Sequence, residues 1–239
     1  MQHLDTIYHS LSPENFSFKL ESLAIAKLVH DYRYFWKPEK VKTLLLAESH
    51  VFTPDEDTNI SFTDAFHDFS GLVDYPNQFA NFVYCLGYGE KQILTSKAQS
   101  KNAGTWQFWQ LFNSTCENKF KVLKKTEPDF QKRIQEKIAL LTEMKMDGIW
   151  LLDCSFLAIY NDSVKPHKKE MDAILSHSFS NYSLPIIKQE NPEKVIIIET
   201  IFDIIQNLHP NIMSSKWDWI HQPNARVKNE YRKSLSNVI

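Results

Sequence analysis

Three short runs with apolar side chains on both faces constrain the fold of this chain more than any other feature. They are residues 43–47 (TLLLA), 149–153 (IWLLD) and 194–198 (KVIII). A strand that is apolar on both faces is typical of a mostly parallel sheet covered by helices on two sides. The third run is also rich in β-branched residues, which favour strands. The sequence therefore predicts three buried strands, and residues 216–221 predict a weaker fourth.

Helical patterns separate these strands. A helix is predicted from Ser12 and Pro13 up to Pro38, and the strongest pattern follows the capping-box spacing of residues 126–129 and ends at Gly148. Further helices are predicted near Gly104, over 168–177, over 201–208 and from Asn224 onward, whereas residues 48–71 are predicted to be a long loop. Strands that alternate with helices predict an α/β fold, a three-layer α/β/α sandwich with a central, mostly parallel four-stranded sheet.

Composition limits the kinds of protein that this chain can be. Its 239 residues are expected to form one domain, residues 1–239. No apolar stretch reaches the roughly 18–20 residues of a membrane span, so an intracellular, cytoplasmic protein without membrane contact is expected. The three cysteines and nine histidines lack the spacing of a metal site, and no metal is predicted. Phosphate-binding glycine motifs are also absent, and no cofactor is predicted.

The candidate site lies at the carboxyl ends of the predicted strands, where parallel α/β sheets bind their ligands. Glu48 follows the first strand, Asp153 ends the second, Glu199 follows the third and His221 ends the fourth. Each of these residues also has a structural explanation, because a polar group at a strand end often caps a helix or pairs with an arginine. Their shared position is what favours a functional site.

Three tracts carry a family resemblance: LLLAESH at 44–50, LLDCS at 151–155 and HQPNAR at 221–226. In order and spacing, over about residues 40–235, they resemble the uracil-DNA glycosylase superfamily. The resemblance implies an enzyme that cleaves the N-glycosidic bond of a base flipped out of DNA. It departs from the family where Ala47 precedes Glu48, since family members have a glycine there, and where Gln222 separates His221 from Pro223.

The resemblance also implies roles for individual residues. Glu48 would orient water or stabilise positive charge on the sugar, and His221 would donate a hydrogen bond to the departing base. Asp153 would read the base, and its carboxylate suits an exocyclic amine of a cytosine-like base better than the carbonyl edge of uracil. Ser49 belongs to the first tract and is a further base-binding candidate. The candidates for stacking on the base are Phe52, which closely follows that tract, and Tyr84.

DNA, as a duplex or single strand, is the expected partner. Asn224, Arg226 and Lys228 are expected to contact its phosphates, although the net charge of −2 means that only a local basic patch could do so. Two alternatives stay open. The chain could be a non-catalytic descendant that binds a nucleobase, nucleic acid or a protein, or an unrelated α/β enzyme that acts on a small nucleotide or sugar.

Overall fold

A computed structural model describes residues 2–12, 16–99, 106–124, 126–160, 166–212 and 216–222. The four predicted strands are confirmed. They are β1 (Thr43–Ala47), β2 (Ile149–Asp153), β3 (Lys194–Ile198) and β4 (Trp217–Ile220). Helices flank the sheet, and the architecture is the predicted three-layer α/β/α sandwich.

The strands form one parallel sheet in the order β2-β1-β3-β4. The central strands β1 and β3 are buried at every position after the first. All five residues of β2 are buried as well, although β2 lies at the sheet edge. The strands are apolar on both faces because helices and loops cover the sheet on both sides.

Two groups of helices cover the sheet. Helices α3 and α4 each contact α5, which packs against β2, whereas α6 contacts α8 and a π-helical turn that joins α6 to α7. The bounds are α1 (Gln2–Ser10), α2 (Leu23–Phe35), α3 (Asp64–Ser70), α4 (Trp106–Thr115), α5 (Phe130–Asp147), α6 (Lys168–Ser178), the π-helix (Phe179–Ser183), α7 (Leu184–Glu190) and α8 (Phe202–Leu208).

The first predicted helix is wrong in extent. Helix α2 begins at Leu23, with Ser22 as its N-cap, and not at Ser12. Helix α1 precedes it and was not predicted. The apolar residues Leu20 and Leu23 fit one helical repeat, but the chain bends at residues 16–18 before α2 begins. Hydrophobic spacing alone could not distinguish one long helix from this arrangement.

Two smaller predictions also need correction. The N-cap of α5 is Asp129, whose side chain accepts a hydrogen bond from the Lys132 N–H at 3.1 Å, and not Thr126. The stretch 48–71, predicted to be a loop, contains the 3₁₀-helix Asp55–Asn59 and α3. Its Thr63 caps α3 by accepting from the Phe66 N–H, a local signal in the sequence that the polar composition obscured. Gly104 and the final helix predicted from Asn224 onward lie outside the described residues.

Within the described ranges, no helix is both long and apolar enough to cross a membrane.

Candidate functional site

The candidate residues lie along the carboxyl edge of the sheet, as their positions in the sequence predicted. Ala47 pairs with Asp153 across β1 and β2, and the ladder continues beyond β1, where the Ser155 N–H donates to the Glu48 carbonyl at 2.9 Å. Glu48 therefore lies one residue beyond the level of Asp153. His221 lies two strands from Glu48, because β3 stands between β1 and β4.

Asp153 is the centre of a buried charge network. Its Oδ2 accepts a charge-assisted hydrogen bond from Nη2 of Arg33, a residue of α2, and lies 3.7 Å from Nδ1 of His50. The other ring nitrogen of His50, Nε2, lies 2.6 Å from Oε2 of Glu21. All four side chains are at most 5% exposed. Two carboxylates thus face one guanidinium and one imidazole, and the network is neutral when His50 is protonated.

The pKa directions within the network agree with this charge balance. Burial raises the pKa of Asp153, but the attraction of Arg33 and the contacts with His50 outweigh it, so that the pKa lies below its ordinary value. Burial lowers the pKa of His50, but Glu21 and Asp153 outweigh burial and leave the pKa raised. The network therefore favours an ionised Asp153, and its carboxylates favour protonation of His50 against the opposing charge of Arg33, whose Nη2 lies 3.3 Å from Nδ1 of His50.

Glu21 connects the network to both loops at the sheet edge. Its Oε1 accepts from the Thr53 N–H at 3.1 Å, and its Oε2 accepts from the Ala158 N–H at 3.2 Å. Thr53 belongs to the loop after β1, and Ala158 to the loop after β2. One carboxylate therefore fixes the relative position of the two loops that carry the candidate site.

Arg33 receives support from the π-helical turn. Its Nη1 donates to the hydroxyl of Tyr182 at 3.3 Å, and His30 of α2 lies 3.0 Å from the same hydroxyl. Burial and the nearby charge of Arg33 lower the pKa of His30 to about 4. His30 is therefore neutral at physiological pH, and no second positive charge competes with Arg33.

Glu48 has a different environment from Asp153. It is half-buried, it forms no ion pair with the described residues, and its hydrogen-bond partner is the hydroxyl of Tyr160, which donates to Oε1 at 3.3 Å. Burial raises the pKa of Glu48 above its ordinary value, the nearby Asp153 adds to this, and the Tyr160 hydrogen bond opposes it. Burial and Glu48 raise the pKa of Tyr160 to about 12, so Tyr160 keeps its proton and remains a donor.

A small cavity of about 30 Å³ lies beside Asp153. That volume holds one or two water molecules and is far below the roughly 300–1,000 Å³ of a typical ligand site. Its half-buried lining residues Ser49, Val51 and Phe108 form the rim, and the others are buried. The lining consists of Ser49, His50, Val51, Asn81, Phe82, Val83, Tyr88, Phe108, Leu151 and Asp153.

The cavity contains some of the predicted site residues and not others. Asp153 and Ser49 line it, whereas Glu48, Phe52 and His221 are not among its described lining residues. Phe52 is half-buried, and its carbonyl accepts from Nδ2 of Asn81 at 2.8 Å. The structure places Ser49 and Asp153 together at the cavity. Glu48 precedes Ser49 in the chain but is not among the described residues that line the cavity.

Tyr84 lies in the core and not over the cavity. Its side chain is 1% exposed, its ring stacks on Phe112, and its hydroxyl accepts from the Leu151 N–H at 2.8 Å. Stacking on a ligand would require an open ring face, so the structure gives Tyr84 a packing role instead. The aromatic residues at the cavity are Phe82, Tyr88 and Phe108.

His221 pairs with Glu199 at the far end of the sheet edge. Its Nδ1 lies 3.0 Å from Oε2 of Glu199, and its ring packs edge-on against the partly exposed Trp219. Because a carboxylate can only accept, Nδ1 carries the proton in this contact. Asn224, Arg226 and Lys228, the predicted phosphate contacts, lie outside the described residues.

Glu21, Arg33 and His50, which hold Asp153 in place, were not among the site residues predicted from the sequence. A signal was present for Arg33, because it falls on the buried face of α2 with Ile25 and Val29. A charged residue on an apolar helical face needs a buried partner of opposite charge. The sequence could not identify that partner, since Asp153 is 120 residues away.

Among the described residues, no group of three or more histidine, cysteine, aspartate or glutamate side chains is arranged to hold a metal ion. The fold defines an α/β/α sandwich with a polar site at the carboxyl edge of its parallel sheet. No family model matches the chain, and no curated protein matches its sequence significantly.

Proposed function

We propose that this protein hydrolyses the N-glycosidic bond of a nucleobase in DNA, with Glu48 as the catalytic carboxylate. In this reaction water attacks C1′ of the sugar, the N-glycosidic bond breaks, and its electron pair leaves with the base. Positive charge develops on the sugar and negative charge on the base. Glu48 accepts the proton of the attacking water and stabilises the sugar cation.

The environment of Glu48 is the observation that carries the proposal. Asp153 is neutralised by Arg33 and His50, and Glu199 is paired with His221. Glu48, by contrast, is half-buried without an ion-pair partner in the described structure, and its pKa is raised. A carboxylate at a strand end with a raised pKa and no neutralising cation is a candidate for a general base, because its raised basicity suits proton abstraction.

The sheet order supports a role for His221 at a distance. Two strand spacings separate Glu48 from His221, roughly 10 Å between backbones, with the end of β3 between them. The Nδ1–H of His221 faces Glu199, so Nε2 is the nitrogen that could serve the base. Because Nδ1 keeps its proton in the contact with Glu199, Nε2 donates to the departing base only from the doubly protonated ring.

The resemblance of the three sequence tracts to the uracil-DNA glycosylase superfamily supports the choice of substrate. It also supports DNA as the partner. The carboxylate of Asp153 supports a base that carries an amino group rather than uracil.

Strand cleavage at abasic sites tests the proposal. Purified protein is incubated with single strands and duplexes that carry uracil, hypoxanthine or a modified cytosine, and alkali then cuts at any abasic site. We expect cleavage with at least one base and a loss of about 100-fold or more in Glu48→Gln, in keeping with general-base catalysis. The matched control is Glu56→Gln, an exposed glutamate in the loop after β1, which should leave the rate unchanged. No abasic site with any base, or undiminished cleavage by Glu48→Gln, would refute the proposal.

A second candidate function is non-catalytic binding of a nucleobase or nucleic acid. One observation favours it: the cavity beside Asp153 is about 30 Å³, too small for a whole base without movement of its rim. Oligonucleotide binding that persists in Glu48→Gln, with no turnover by the unaltered protein, would support this function over hydrolysis.

A further inference from the structure

We infer that Asn81 is a specificity-determining residue of the cavity, and that its Oδ1 accepts a hydrogen bond from an amino group of the bound base. The inference deepens the proposed function and rests on it, since it assumes that a base reaches this cavity. It assigns the substrate class as nucleobases with an exocyclic amine in the position that uracil fills with a carbonyl.

Three hydrogen bonds fix Asn81 against the loop after β1. Its N–H donates to Oγ1 of Thr53 at 2.9 Å, its carbonyl accepts from the Val51 N–H at 3.2 Å, and its Nδ2 donates to the Phe52 carbonyl at 2.8 Å. A carbonyl can only accept, so the amide nitrogen must face Phe52. This contact determines the orientation of the amide without ambiguity.

The same orientation leaves Oδ1 of Asn81 without a hydrogen-bond partner. Asn81 is 1% exposed and lines the cavity, and its Oδ1 is buried and unsatisfied in the described structure. A buried acceptor without a donor is unfavourable, and such groups are rare in folded proteins. A donor group that enters the cavity would remove that cost.

The chemistry of the remaining lining indicates which donor. Asp153 contributes a second acceptor, because an ionised carboxylate carries no proton to donate. The cavity volume of about 30 Å³ fits an amino group but not a whole pyrimidine ring. The ring would then lie at the half-buried rim, next to Phe108. A carbonyl in place of the amine would face two acceptors and be repelled.

Binding of matched free bases tests the inference without any need for catalysis. Dissociation constants of cytosine, uracil and pyrimidin-2-one, which lacks the amino group, are measured by calorimetry or by NMR titration of the whole protein. We expect cytosine to bind at least about tenfold more tightly than either of the other two, because only cytosine supplies the missing donor. Equal binding of all three, tighter binding of uracil, or no measurable binding of cytosine overturns the inference.

Two variants of Asn81 form a matched pair. Asn81→Leu and Asn81→Asp both lose the bond to the Phe52 carbonyl, but only aspartate keeps an oxygen at the Oδ1 position. We expect the preference for cytosine to fall below about twofold in Asn81→Leu and to persist in Asn81→Asp. A purely structural role would weaken both bases equally in both variants, and that result would overturn the inference. The comparison of bases on the unaltered protein remains decisive if Asn81→Leu does not fold.

Glu48→Gln separates this inference from the proposed function. Glu48 is not among the described residues that line the cavity, so the variant should keep the preference for cytosine while it loses turnover. Retained preference without turnover in any form of the protein would contradict hydrolysis and leave the role of Asn81 standing. Turnover without a preference for amino-bearing bases would do the reverse.

Discussion

Asp153 stands beside Ala47 in the β1–β2 ladder, so that Glu48 and Asp153 are offset by one residue along neighbouring strands. Successive residues of a strand point to opposite faces, and an offset of one residue therefore directs the two carboxylates to different surroundings. Asp153 meets Arg33 and His50, whereas Glu48 meets Tyr160. This offset places Asp153 in a charge network at the wall of the cavity and leaves Glu48 without an ion-pair partner among the described residues.

The acid limb of activity should report the ionisation of Glu48. Because burial raises its pKa above the ordinary 4.5, we expect the rate to fall, as pH decreases, at a higher pH than an exposed glutamate would give. Tyr160→Phe removes a hydrogen bond that stabilises the carboxylate, so it should shift this limb to still higher pH. Carbon NMR titration of the Glu48 carboxyl measures the same shift in the absence of substrate.

Tyr34→Phe is the control for this shift, since Tyr34 is a partly exposed tyrosine of α2. It should leave the titration of Glu48 where it is. A titration of Glu48 at or below 4.5 would contradict the effect of burial on its pKa, and no movement in Tyr160→Phe would contradict the Tyr160 hydrogen bond.

Arg33 should be essential because it balances a buried charge. Arg33→Met leaves Asp153 buried without its main cation, and we expect a loss of about 3–5 kcal/mol in the free energy of unfolding. The double variant Arg33→Met/Asp153→Leu removes both charges and should recover much of this loss. Urea unfolding of the single and double variants measures both values, and additive losses would argue against direct coupling of the two residues.

His50 should make stability depend on pH at and above neutrality. Its pKa is raised above the ordinary 6.5 in the folded protein, so its contribution is fully present below 6.5 and is lost as pH rises through the folded pKa. We expect the difference in unfolding free energy between the unaltered protein and His50→Gln to shrink over this range. Urea unfolding at a series of pH values tests this.

The pKa of Asp153 is lowered from 3.8, so its contribution to stability depends on pH in the opposite direction from that of His50. Its contribution is present above 3.8 and is lost as pH falls through the folded pKa.

A difference in unfolding free energy between the unaltered protein and His50→Gln that stays constant from pH 6 to alkaline pH would contradict the raised pKa of His50. His221→Gln, at a half-buried histidine that follows β4, serves as the histidine control.

Tyr84→Phe should destabilise the protein without affecting ligand binding directly. The substitution removes the acceptor of the buried Leu151 N–H, and an unsatisfied buried donor costs about 1–3 kcal/mol. Thermal or urea unfolding measures the loss. A large loss of base affinity with unchanged stability would instead support the base-binding role that the sequence predicted for Tyr84.

Much of the fold could be predicted from local patterns. The runs at Thr43–Ala47, Ile149–Asp153 and Lys194–Ile198 gave the buried strands because their apolar residues face helices on both sides. The extent of α2 was not predictable in the same way. Its apolar repeat continues upstream through Leu20, and the bend at residues 16–18 has no strong local signal.

For the candidate site, the sequence by itself determined that Glu48, Asp153 and His221 follow strand ends, because parallel strands bring their carboxyl ends to one edge. Only the tertiary structure decided the register that separates Glu48 from Asp153, the burial of Tyr84 and the orphaned oxygen of Asn81. These features depend on contacts between residues far apart in the chain, such as Arg33 with Asp153. Local propensity carries no information about such contacts, since the free energy that selects them arises when the whole core forms.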